Sequence, residues 1–130
     1  MKKIIPVVIA IIIIVIGFAF ALKFNIIPKK QYGPYDDFVF CLKGSDTKIY
    51  GDYTDVNSLR QLSLFGDSLY TLEKSGVYLE CNQYGPNPKV KKCMDADLTA
   101  YPTWIIKDKK YPGVYGLNKI SEITGCKYGN

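Results

Sequence analysis

The sequence predicts an α/β sandwich with a mixed sheet, and three observations predict it. Short β-rich runs alternate with amphipathic stretches through residues 35–130. A proline, Pro102, opens the most β-rich of those runs. A tight turn, Lys107-Asp108-Lys109-Lys110, then folds the chain back as a hairpin.

Asp36 and Asp37 open a short helix, 37–42, which Gly44-Ser45-Asp46 ends. Thr47 to Tyr50 reads as a strand. Asp55 is a good N-cap for a helix over 56–65, with Leu59, Leu62 and Phe65 on one face and Gly66 as its stop. Residues 67–74 continue as a turn or short helix. Val77 to Cys81 is a second strand, 82–88 a loop rich in Asn, Gly and Pro, and 89–94 a short helix. Pro102 to Ile106 is a central strand. Residues 110–114 are its return strand, with Pro112 marking an edge or bulge. Leu117, Ile120 and Ile123 give an amphipathic helix stopped by Gly125. The order is β-α-β-α-β-β-α.

Ahead of this domain, Ile4 to Leu22 is a run of 19 residues without a charge. Such a run is long enough to span a bilayer as a helix. The reading is an anchor with basic flanks over 1–23, a stalk over 24–34 and the folded domain over 35–130. The rival is a cleaved signal peptide, with Lys2-Lys3 as its basic start and Ala19-Phe20-Ala21 as its cleavage motif. The retained anchor is preferred, because the run exceeds a usual signal core. A stalk of that length reaches roughly 35 Å when extended.

The net charge is +5, unevenly placed. Lys2, Lys3, Lys23, Lys29 and Lys30 lie within residues 1–30, which hold no acid, and residues 31–130 balance twelve basic against twelve acidic side chains. No basic patch interleaves with aromatics, which argues against nucleic-acid binding. There is no histidine, so the usual general base and the Ser-His and Cys-His pairings are excluded. The cysteines, Cys41, Cys81, Cys93 and Cys126, are spaced by 40, 12 and 33 residues, too far apart for cysteine-only zinc. An even count in a small domain predicts two disulfides and a non-cytosolic, oxidised setting, a cell envelope or a virion membrane. The four cysteines allow three pairings. The eleven tyrosines exceed one small core, and Tyr84 and the stretch Tyr111 to Tyr115, in predicted loops, offer a docking surface for a protein.

The stretches "CLKGSDTKIYGDY", "QLSLFG", "VYLECN", "KKCMDADLTAYPTWIIKDKKYPGVYGL" and "ITGC" carry a resemblance. They resemble the thioredoxin-like domains fused to, or accompanying, vitamin K epoxide reductase homologues, over about residues 38–126. "YPTW" with the following hairpin and "GV" is the most specific piece. The resemblance implies a thioredoxin-like fold and a cis peptide bond at Pro102, facing the helix start. The pairings chosen within it are Cys41–Cys126 and Cys81–Cys93.

Active members of that family carry C-x-x-C at the helix start. Here Asp55, Val56, Asn57 and Ser58 occupy those four positions. A helix N-terminus stabilises a thiolate, and Asp55 takes up the same N–H groups as a cap without any power to exchange disulfides. Asp55 as a plain capping residue is the simpler reading. The expectation is therefore a non-enzymatic, redox-inactive domain with no catalytic residue, cofactor or metal. It would tether a membrane, held through residues 4–22, to an adjacent protein layer. Two alternatives stand beside it. One is a thiol–disulfide oxidoreductase or isomerase acting through Cys81 and Cys93. The other is a chaperone-like peptide binder at the shelf formed by Tyr101, Pro102 and Thr103.

Overall fold

The structure is a computed structural model that describes residues 4–23 and 32–129, the side chains of 21–23 excepted. It divides into two units, Met1–Gln31 and Tyr32–Asn130.

In the first unit, helix α1 runs Ile4–Lys23. Its described apolar side chains are exposed. The expectation of a membrane span over 4–22 is corrected here: among the described residues no helix is long and apolar enough to cross a membrane. The reading of a single-pass membrane protein with its domain on the oxidised side of an envelope or virion membrane falls with the span. Most of the expected stalk, residues 24–31 of 24–34, lies outside the described residues.

The second unit opens with α2, Asp36–Gly44, followed by strand β1, Lys48–Gly51. Helix α3, Val56–Ser63, starts on the Asp55 cap. It is shorter than expected: the chain turns through a 3-10 segment, Gly66–Ser68, into α4, Leu69–Ser75. Gly66 takes a φ of 49°, a backbone state that favours glycine, which lets the chain bend there. Strand β2 is Tyr78–Glu80 and helix α5 is Val90–Asp95. Strands β3, Thr103–Ile106, and β4, Lys109–Pro112, form the hairpin, and α6, Leu117–Thr124, closes the fold.

The strand order is β2-β1-β3-β4. β1 runs parallel to β2 and antiparallel to β3, which pairs antiparallel with β4. This four-stranded mixed sheet fits a thioredoxin-like fold. The main core lies on one face, where Ile49, Trp104 and Ile106 meet Phe38, Leu42, Leu62, Phe65, Leu72 and Ile120. Strand alternation sends Tyr50, Leu79 and Ile105 to the other face, where a smaller cluster forms with Cys93 and Ala96 of the α5 region. Tyr111 and Tyr115, expected on a loop surface, pack edge-to-face at 6.3 Å and lean against the main core, whereas Tyr84 is 80% exposed.

Candidate functional site

The junction after β1 is built by carboxylates and short hydrogen bonds. Asp55 caps α3, its carboxylate accepting the Ser58 backbone N–H at 2.6 Å. Ser58 is buried, and its hydroxyl accepts the Asp52 N–H at 3.1 Å. Val56 is exposed, as is Asn57. Gly51 is needed between them: a Cβ there would stand 2.8 Å from the Tyr78 ring and 3.2 Å from the Ser58 hydroxyl.

Two acids bind this junction to the loop after β2. Asp52 accepts from the Thr54 N–H at 2.7 Å, the Thr54 hydroxyl at 2.6 Å and the Asn82 amide at 3.1 Å. The Thr54 hydroxyl bond, helped by the Thr54 N–H and Asn82, holds the Asp52 carboxyl below its ordinary pKa against a smaller opposing effect of burial. Glu80 is 3% exposed and accepts the Tyr78 hydroxyl at 2.8 Å, the Asn82 N–H at 2.7 Å and the Tyr53 N–H at 3.3 Å. Burial, followed by the Glu80 hydrogen bond, pushes the Tyr78 phenol far up, so that it stays a donor. Sequence reasoning passed over Asp52, Glu80 and Asn82. The one signal was an acid, Glu80, set inside an otherwise apolar strand.

The Tyr101–Pro102 bond is cis, and Pro102 is buried. The Pro102 carbonyl accepts the Gly113 N–H at 2.8 Å, and the Thr103 hydroxyl donates to the Ala100 carbonyl at 2.6 Å. The Tyr101 phenol is pushed up by burial and then by the Asp52 and Glu80 carboxylates, so it too remains protonated at neutral pH.

The cysteines form two disulfides, Cys41–Cys126 and Cys81–Cys93, separated by 85 and 12 residues. Cys41 is exposed on α2 and Cys126 is buried within the main core. Cys81 follows β2, and its N–H donates to the Gly51 carbonyl at 2.8 Å, which places it beside the junction. Cys81 is half-buried and Cys93 is 6% exposed. Both line a depression of about 370 Å³ together with Val90, Met94, Leu98 and Tyr101. The disulfide and the residue before the cis proline thus share one concave surface. Among the described residues no group of three or more His, Cys, Asp or Glu side chains is placed to hold a metal ion.

No protein-family model matches the chain. The chain is similar to the thiol-disulfide oxidoreductase LTO1 of Arabidopsis thaliana, with 34% identity over 87 residues, 65% of this chain and 22% of the relative. It therefore spans less than a quarter of that protein's length. The expectation of a non-enzymatic domain is corrected by this similarity, which points to an enzyme-like function. That expectation rested on the missing sulfurs at the α3 start, yet the domain keeps four sulfur atoms elsewhere, in its two disulfides. A redox-related protein with a thioredoxin-like fold is the reading that sequence similarity and architecture share.

Proposed function

We propose that the chain carries out thiol–disulfide exchange, oxidoreductase or isomerase in kind, through the pair Cys81 and Cys93. The observation that carries this reading is the shared depression: Cys81, Cys93 and Tyr101, the residue before cis-Pro102, line the same concavity. The oxidoreductase name of the Arabidopsis relative supports the reaction class.

The chemistry follows from which sulfur is reachable. A substrate thiolate attacks the half-buried Cys81 Sγ rather than the buried Cys93 Sγ. A substrate–Cys81 disulfide forms and Cys93 leaves as a thiolate. A second substrate thiol then attacks its own sulfur in that mixed disulfide and releases Cys81. The substrate dithiol loses two electrons, and the Cys81–Cys93 disulfide gains them. Asp55, Val56, Asn57 and Ser58 contribute no sulfur to this step.

The test is a trapping experiment on the full chain. A Cys93→Ser variant, presented with a disulfide-bearing protein substrate, should accumulate a mixed disulfide at Cys81, mapped by peptide mass. Cys81→Ser should trap nothing at that depression. Wild-type protein should oxidise a reduced substrate at a rate that Cys81→Ser abolishes. Turnover carried instead by Cys41–Cys126, or no turnover at all, overturns the proposal.

A further inference from the structure

The second face of the sheet is thinly covered, and its cover is held mainly by one bond. Helix α5 has six residues, Val90–Asp95. A helix of that length does not persist alone in water, so its order comes from what fastens it. The apolar cluster under it has three buried members, Tyr50, Leu79 and Cys93, one of them a sulfur of the disulfide itself.

α5 is also undercut on both sides. One side is the depression of about 370 Å³ that holds the disulfide. On the other, an open groove of about 510 Å³ is lined by Tyr50, Leu79 and Ile105 of the sheet and by Lys92, Asp95 and Ala96 of the α5 region. Both depressions open to solvent, so the flanks of α5 are wetted there and gain few dispersion contacts from the sheet. The remaining ties from residues 86–100 to the sheet strands are few. The Lys89 N–H donates to the Glu80 carbonyl at 2.7 Å, the exposed Lys110 ammonium donates to the Asp97 carbonyl at 2.7 Å, and at the far end of the segment the Thr103 hydroxyl donates to the Ala100 carbonyl at 2.6 Å.

We propose that the Cys81–Cys93 disulfide is a latch: its reduction by a dithiol releases α5 and its flanks, residues 86–100, and uncovers Tyr50, Leu79 and Ile105. The step balances as in the exchange above. The dithiol closes to its own disulfide, two electrons enter the Cys81–Cys93 bond, and the two protons end on the Cys81 and Cys93 thiols. The redox state of the pair thereby decides whether an apolar strip of the sheet is covered. This inference rests on the reading that Cys81–Cys93 exchanges under native conditions.

Hydrogen exchange on the full chain, read by mass spectrometry, tests it. The protein is compared oxidised, after dithiothreitol, and as the Cys81→Ser/Cys93→Ser variant, with the Cys41–Cys126 link followed by peptide mapping. The amides of Lys89, Cys93 and Ala96, which are hydrogen-bonded in the oxidised fold, should lose protection by about a hundredfold, the scale set by a cross-link over a short loop. Strand β3 and helix α6 should keep theirs. Unchanged protection at those three amides in the reduced protein or in the variant overturns the latch and leaves the exchange reading standing. Loss of protection throughout 32–129 also overturns it, because the disulfide would then be a staple of the whole domain. If dithiothreitol cannot open Cys81–Cys93 short of unfolding, the exchange reading fails and the latch fails with it.

Discussion

Gln61 shows how much one side chain can hold. It is fully buried on α3, and its amide oxygen accepts the Trp104 indole N–H at 3.0 Å and the Tyr115 N–H at 2.8 Å. Its amide nitrogen donates to the Tyr115 carbonyl at 3.0 Å. One residue thereby joins α3, the central strand β3 and the approach to α6. Replacing it with leucine leaves the buried Trp104 indole N–H and the half-buried Tyr115 N–H without an acceptor, and Gln61→Leu should cost about 2–3 kcal/mol in urea unfolding. Asp52 makes a pH prediction. Its folded pKa is lowered, so its contribution is present above the unfolded value of about 3.9 and is lost as pH falls through the folded value. An Asp52→Asn variant should lose less stability than wild type between about pH 5 and pH 2, measured as the shift of the urea midpoint. Neither role was legible in the sequence. A glutamine among helix residues reads as solvent-facing, and only the tertiary fold brings Trp104 and Tyr115 to it.

Elements were more legible, because their signals are local. The Asp55 cap, the glycine stop at Gly125 and the β-rich run after Pro102 each act within a few residues of the chain. The break between α3 and α4 was partly legible through Gly66, but its position at Ser63 depends on how Phe65 enters the main core. Helix α1 is the opposite lesson. Its composition predicted a bilayer span, and the described residues do not supply one. The cap gives a check at this scale. Asp55→Ala should lower stability by about 1 kcal/mol, since the Ser58 N–H loses its acceptor. Thermal unfolding would read it, and a loss much larger than that would mean the junction depends on Asp55 for more than capping.

At the scale of the whole domain, two forces act together: a single main core on one face and a covalent link, Cys41–Cys126, between its ends. Roughly a hundred residues bury a modest core, so cross-links matter. Cys41–Cys126 joins α2 to the segment after α6, and the Cys41→Ser/Cys126→Ser variant should lose about 2–5 kcal/mol, read as the drop in the denaturant midpoint. The candidate site was legible only in its parts. The sequence marked Pro102, Cys81 and Cys93 separately; that they border one depression depends on β2 lying next to β1, with the Cys81 N–H bonded to Gly51.

The long disulfide also changes what a broken backbone means. Between Cys41 and Cys126 the chain and its cross-link form a closed ring. A protease that cuts once in the exposed stretch around Tyr84 or at the Lys107–Asp108 turn opens that ring without dividing it. The nicked molecule migrates as one piece until a reductant is added, and only then separates into two. Damage to these loops therefore adds only one water to the molecule and releases no fragment while the sulfurs stay paired, so an oxidised cut domain keeps its pieces together and able to stay folded.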